Sequence, residues 1–418
     1  MANRNEAGAS GRVVITGLGA VTPVGKSVPE MWDNLLQGRS GIGLIRQFDT
    51  GKLACKTGAE VPDWNPEAQL GKRTANETDR FIQFALAAAA EALRHSGLNL
   101  DAEDRERVGV VMGNTIGGMP NITRQQEKIA AEGRARLSPY FVTSMMPNMA
   151  AAHLSVSHGL FGPNLTLSTA CASGADSIGT AAMLIRTGRA EVLLAGGTES
   201  IYCTLILAGL GAARALSGNS DPTSACRPFE LRRDGMVMGE GAGVVVVESL
   251  EHALRRGAAI HGELLGYGSC SDGHHVTAPS VRGQVYCMRQ ALGDSGIDPA
   301  AVGYINAHGT STPVGDKTET ASIKEVFGSR AYGIPVSSTK AATGHTLGAA
   351  GTIEAIICLK AMENGIIPPT LNLEQKDPEC DLDYVPGRPR AAEIQVALSN
   401  SFGFGGQNAT LVLGRFSG

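Results

Sequence analysis

The sequence contains no long run of lysine or arginine, and its formal net charge is only −4. Bulk charge therefore gives no sign of a nucleic-acid-binding chain. None of its eight cysteines (Cys55, Cys171, Cys203, Cys226, Cys270, Cys287, Cys358 and Cys380) pairs as C-x-x-C or alternates with histidine at zinc-ligand spacing. That argues against a metal site. Glycine or charge breaks every apolar stretch well short of a membrane span, and no secretory leader is visible. A chain this long does not need disulfide staples, so the expectation is reduced thiols in a cytoplasmic protein with no membrane contact. A dinucleotide fingerprint is lacking too. Gly17-Leu18-Gly19 ends an apolar strand, but Pro23 stands where a phosphate-binding helix would open.

What is present is core material. Hydrophobic residues make up 43% of the 418 and charged residues 18%, a globular composition. The 54 glycines are scattered among apolar runs, as expected for tight turns and close backbone approaches. Residues 1–11 read as a loose N-terminal extension. From Arg12 onward, all-apolar strands alternate with helical patterns, which suits a sheet covered on both sides. The same rhythm runs through residues 12–258 and again through 259–418, predicting two similar α/β halves.

Residues 165–179 organise the first half. A short apolar and β-branched run reads as a buried strand, turns through small residues and becomes a helix from 175 to 186. Cys171 sits at that turn, where unpaired N–H groups and the helix dipole favour a thiolate. Taken alone, Cys171 is equally one more small buried hydrophobe. The second half holds three strand ends with polar groups: Asn306-Ala307-His308-Gly309-Thr310-Ser311-Thr312-Pro313, Ser337-Ser338-Thr339-Lys340 running on to Gly344-His345, and Asn400-Ser401-Phe402-Gly403-Phe404-Gly405-Gly406. Singly, each histidine is more often a hydrogen-bonded structural residue.

Together these motifs resemble the β-ketoacyl-[acyl carrier protein] synthases of the type II family, within the thiolase superfamily. T-A-C-A-S-G at 169–174, N-A-H-G-T-S-T-P at 306–313, S-S-T-K-x-x-T-G-H at 337–345 and N-S-F-G-F-G-G at 400–406 arrive in the family's order. R-P-F at 227–229, R-D-G-x-V-M-G-E-G at 233–241 and D-L-D-Y-V-P at 381–386 extend the match across nearly the whole chain. The resemblance implies an α/β, thiolase-like fold of two similar halves in a five-layered α-β-α-β-α arrangement. It implies decarboxylative Claisen condensation of malonyl-carrier protein with an acyl chain held as a Cys171 thioester, in fatty-acid biosynthesis. The alternative is the catalytic ketosynthase subunit of a type II polyketide or polyene pathway.

The resemblance also assigns roles. Cys171 is the nucleophile, and His308 and His345 stabilise the enolate. Lys340 tunes the second histidine, with Glu354 as the natural ion-pair partner. Phe402 is the gate and, with Cys171, supplies an oxyanion N–H. Thr310, Thr312 and Phe404 face substrate, and Ile116 lines the acyl pocket. No cofactor is implied beyond the phosphopantetheine arm of the acyl carrier protein, and the expected assembly is a homodimer, or a heterodimer in the polyketide case. Lys72, Arg73 and Arg80, with Arg134 and Arg136, are the candidates for carrier docking. Asn76 and Glu77 stand where the family often has basic residues, and Met236 and Gln407 replace a more usual Phe and Thr.

Overall fold

In a computed structural model the described residues are 11–133 and 136–417. Residues 1–10 of the expected extension, and Arg134, lie outside them. The first half contributes strands β1 (Val13–Val21), β2 (Val108–Gly113), β3 (Asn164–Leu167), β4 (Val192–Glu199) and β5 (Gly241–Ser249). The second contributes β6 (Gly262–Ser271), β7 (Val302–Asn306), β8 (Val336–Ser337), β9 (Val396–Gly403) and β10 (Gln407–Gly414). All ten share one sheet, in the order β8-β7-β9-β10-β6-β1-β5-β4-β2-β3.

That order contains a repeat. Outward from the centre, each half runs first, fifth, fourth, second and third strand. In each half the first two pairings are antiparallel and the next two parallel. The halves meet where β1 pairs with β6, at Val14 opposite Glu263 and Ile15 opposite Gly262.

Parallel neighbours need crossover helices, and these stack the molecule in layers. Helices α1 (Arg80–Ser96) and α2 (Met149–His158) cover the outer face of the first half, α1 lying on β1 and β5. Helix α3 (Ser173–Arg186) lies between the halves, against β2 and β4 on one side and β6 and β10 on the other. Helices α4 (Val281–Ser295) and α5 (Pro313–Phe327) pack on each other, with α4 over β6 and β10 as the opposite outer layer. Helix α6 (Ala350–Asn364) joins α3 in the middle, against β5 and β9. It is buried on nearly every face, as expected of a helix that is apolar all round. The expected five layers are therefore present.

The small residues of T-A-C-A-S-G have a packing reason. A Cβ on Gly174 would lie 2.7 Å from the Gly348 carbonyl oxygen, and one on Gly351 would lie 2.6 Å from the Ala175 nitrogen. The two central helices therefore meet almost backbone to backbone, which only glycine permits.

Two local expectations are corrected. The strand before Cys171 is not buried: β3 is the terminal strand of the sheet, Asn164 is exposed and Leu165 is 40% exposed. An apolar run does not distinguish a central strand from a terminal one. The helix also starts at Ser173 rather than 175, after a 3-10 turn at Ala170–Ala172.

Candidate active site

Cys171 lies within that 3-10 turn, directly after Ala170, whose φ is +49°. A non-glycine residue in the left-handed region is strained, and such strain gathers at functional turns. At this turn Cys171 is only 5% exposed, packed among Met236 and Leu347. Burial pushes its pKa up to about 11, against the pull of Lys340 and of the backbone N–H groups of Phe404 and Cys171. The expectation of a standing thiolate is thus corrected. The N–H groups act in the expected direction and Lys340 adds to them, but desolvation outweighs both.

A ring-nitrogen partner for the thiol is in place. His345 Nε2 lies 3.0 Å from Cys171 Sγ. The His308 and His345 rings meet edge to face, 5.3 Å between centroids at 85°. Cys171 Sγ and one ring nitrogen of each histidine all lie within 4.8 Å of one another. Both histidines are held well below the usual imidazole pKa, first by burial and then by Lys340, with His345 adding to the effect on His308. Two neutral imidazoles therefore face one thiol. The Nδ1 atoms of both are buried without a protein partner.

The surrounding loops hold this geometry from below. His308 follows β7 after one residue, Ala307. The Glu319 carboxylate, from α5, accepts the backbone N–H groups of His308 and Gly309, both at 2.8 Å. It also accepts the side-chain amide of Asn400 in β9, at 3.2 Å. Lys340 opens the short helix Lys340–Thr343 that leads to His345, and its ammonium is ion-paired with Glu354 of α6, both almost fully buried. Glu199, at the end of β4, accepts N–H groups from Thr115, Ile116 and Gly348. Burial pushes its pKa up to about 7 against those bonds.

The glycine-spaced aromatics divide differently from expectation. Phe402 belongs to β9, in register with Asn408 of β10, and is 7% exposed, with its ring 6.0 Å from that of His308. The chain leaves the strand only after Gly403, turning through Gly405 at φ +81°. It is the N–H of Phe404 that reaches the Cys171 sulfur. Phe404, at 36% exposure, stands at the cavity. Phe404 rather than Phe402 therefore stands where a gate and an oxyanion N–H are expected, because the ladder with β10 fixes Phe402.

Above the triad opens a cavity of about 370 Å³, whose lining includes Thr310, Thr312, Phe404 and Arg214. The hydroxyls of Thr310 and Thr312 lie 3.1 Å apart. Ile116 does not line this opening. It packs in the apolar cluster that contains Cys171, Met236 and Leu347.

The expected docking cations separate on inspection. Lys72 and Arg136 are exposed, and Arg73 is exposed but paired with Glu77 at 2.9 Å. Arg80 is not a free surface charge, because its guanidinium clamps the fully buried Glu240 at 2.6 and 2.9 Å. Sequence reasoning missed Glu319, Asn400, Glu199 and Arg214. Glu319 is one of three acidic residues in α5, with Asp316 and Glu325, and nothing local ties it to His308.

Known proteins can be set beside this geometry. The β-ketoacyl synthase N-terminal domain family matches residues 10–253, and its C-terminal domain family matches 261–374. The 3-oxoacyl-[acyl-carrier-protein] synthase 2 of Synechocystis sp. is 47% identical over 97% of this chain and 98% of its own length. That of Staphylococcus aureus is 45% identical over the same shares. Among solved structures, a β-ketoacyl synthase from Burkholderia phymatum superposes with a TM-score of 0.90 at 36% identity, covering 97% of this chain and all of that one. The ishigamide ketosynthase/chain length factor gives 0.91 at 36% identity, over 97% and 99%. A thiol, two neutral imidazoles and a glycine turn brought together across two repeated halves thus coincide with matches along almost the entire length, and the chain belongs to the β-ketoacyl synthase family.

Proposed function

We propose that this protein is a 3-oxoacyl-[acyl-carrier-protein] synthase of the elongating, fatty-acid type. The observation that carries the reading is the Cys171 thiol 3.0 Å from a neutral His345, with His308 edge-on to it, beneath an open cavity. In the first half-reaction the Cys171 sulfur attacks a thioester carbonyl. Its proton leaves through His345 and ends on the departing phosphopantetheine thiol. Sulfur suits this step because a thiolate both attacks and leaves readily. The oxyanion faces the N–H groups of Cys171 and Phe404, and each such donor is commonly worth about 2.7–4 kcal/mol of barrier.

In the second half-reaction a malonyl thioester occupies the same cavity. Loss of CO₂ leaves an enolate, and the His308 and His345 N–H groups stabilise the charge on its oxygen. Neutral imidazoles are the right donors here because the site disfavours cations, as their lowered pKa values record. The carbanion then attacks the Cys171 thioester, and the thiolate is released. Thr310 and Thr312 offer hydroxyls to the phosphopantetheine arm, which carries both substrates, so the reaction needs no further cofactor. Lys72, Arg136 and Arg214 are among the exposed cations available to an acidic carrier protein.

The curated relatives at 45–47% identity are named 3-oxoacyl-[acyl-carrier-protein] synthase 2. The ishigamide and type II polyketide ketosynthases stand at 35–36%, so the polyketide alternative is not favoured. No helix among the described residues is long and apolar enough to cross a membrane, and a cytoplasmic location fits substrates carried on a carrier protein. The open edge of β3, with Leu165 exposed and Phe161 76% exposed beside it, suits pairing with a second copy. Incubation with an acyl-carrier protein and malonyl-carrier protein, read by intact mass, should yield a carrier-bound β-ketoacyl chain two carbons longer. Absence of that product across acyl chains of different length would refute the function.

A further inference from the structure

Two cysteines outside the catalytic centre face each other behind the glycine turn. Cys270 is the penultimate residue of β6, and Cys287 lies midway along α4. Their thiols sit in one seam between the strand and the helix. They also cross-bond the two elements: Cys270 Sγ donates to the Gly283 carbonyl of α4 at 3.3 Å, and Cys287 Sγ donates to the Gly268 carbonyl of β6 at 3.4 Å. The backbones are close here, since a Cβ on Gly268 would lie 2.3 Å from the Cys287 carbonyl oxygen. A disulfide needs its two Cα atoms within about 7 Å, which a tight strand–helix seam favours.

The pair is asymmetric. Cys270 is half-buried and Cys287 fully buried. The thiol of Cys287 holds the Cys270 pKa below the usual range, helped by the Asn408 amide and opposed by burial, Asp272 and Asp176. The thiols of Cys55, Cys226, Cys358 and Cys380 are all pushed upward by burial, as is Cys171. Cys270 is thus the accessible, more acidic thiol, with Cys287 on the facing helix as the resolving partner.

The position bears on the active site. Cys270 stands opposite Asn408 in the β6–β10 ladder. The Asn408 amide lies 3.9 Å from Cys270 Sγ and donates to Asp272 at 2.6 Å. The Asp272 N–H donates to the Gly406 carbonyl at 2.8 Å, and the Gly405 N–H donates to the Val276 carbonyl at 2.6 Å. These bonds hold the turn that presents the Phe404 N–H to Cys171.

We propose that Cys270 and Cys287 form a reversible redox pair, which a hydroperoxide converts to a disulfide that joins β6 to α4 and slows condensation by disturbing the glycine turn. The Cys270 thiolate attacks the peroxide oxygen; the O–O bond breaks, and the products are a sulfenic acid and an alcohol, or water from hydrogen peroxide. The Cys287 sulfur then attacks Cys270, the S–S bond forms, the S–O bond breaks, and the hydroxyl leaves as water with the Cys287 proton. Two thiols are oxidised and one peroxide is reduced. Such a disulfide is expected to be transient in a reducing compartment.

The test exposes the full-length enzyme to a few equivalents of hydrogen peroxide, alkylates the remaining thiols and maps peptides by mass. The expected result is a linked pair of peptides holding Cys270 and Cys287, with a loss of condensation rate, both reversed by dithiothreitol. Cys270→Ser should form no link and keep its rate through the same exposure. Cys287→Ser should instead leave a sulfenic acid on Cys270 that dimedone traps. Both cysteines alkylated after exposure, or a link with no change in rate, would overturn the proposal. So would an equal rate loss in Cys270→Ser, which would put the damage at Cys171. The peptide map is independent of the assigned activity, so failure of the redox pair and failure of the condensation reading are distinguishable.

Discussion

Replacing Glu319 tests whether the site is held together from beneath. Its carboxylate serves three buried donors: the N–H groups of His308 and Gly309 and the amide of Asn400. A buried donor without a partner costs about 1–3 kcal/mol. Glu319→Ala strands two backbone N–H groups, about 2–6 kcal/mol before any offset. Burial already raises the Glu319 pKa, so removing the charge returns part of that, and a net loss of about 2–4 kcal/mol is expected. Glu319→Gln keeps one acceptor oxygen but turns an NH₂ toward a donor, so about 1–3 kcal/mol is expected. Urea denaturation should show the order wild type, Gln, Ala, with lowered midpoints at an unchanged slope.

The functional readout separates the half-reactions. His308 rides directly on the two N–H groups that Glu319 holds, whereas Cys171 rests on the turn before α3. Malonyl decarboxylation in Glu319→Ala should fall on the order of 10²-fold, the usual effect of about 1 Å of misplacement. Acyl transfer onto Cys171 should persist. Full stability with undiminished decarboxylation would refute the reasoning, as would an equal fall in both half-reactions.

Gly405→Ala places a side chain at φ +81° with its nearest neighbour 3.5 Å away. Strain rather than a clash is therefore expected, about 1–2 kcal/mol by thermal denaturation, with slower acylation as the Phe404 N–H moves. Glu248 makes an acid-stability prediction. Burial would raise its pKa, but hydrogen bonds from Arg256, His252 and Thr16 pull it down to about 2. A carboxylate depressed in the folded state contributes stability above its ordinary value near 4.5 and loses it as pH falls toward 2. About 3 kcal/mol should vanish across that window in urea titrations of the wild type, and Glu248→Gln should show a flatter acid limb.

The chemistry was more legible than its setting. Cys171, His308 and His345 each sit in a short motif at a strand end, and the motif itself sets where the strand stops. The repeated halves were readable because helix and strand periods alternate twice. What failed depended on residues far away in the chain. Phe402 and Phe404 are both flanked by small residues, and only the ladder with β10 decides which one lies in the strand and which N–H turns toward the sulfur. Arg80 reads as a surface cation until Glu240, 160 residues later, buries against it. Leu165 reads as core because apolarity does not distinguish a central strand from a terminal one. The state of the Cys171 thiol is set by burial and Glu199 against a cation and two N–H groups, and only the N–H groups of the turn were visible in sequence.

The most direct measurement is the mass of Cys171 after incubation with an acyl-carrier protein alone, with malonyl-carrier protein added in a second step. The account predicts one acyl thioester per chain, mapped to Cys171, that disappears on malonyl addition as the β-ketoacyl-carrier product forms. Cys171→Ala should show neither. Product formation by Cys171→Ala, or an acyl group mapped to another residue, would contradict the account at its centre.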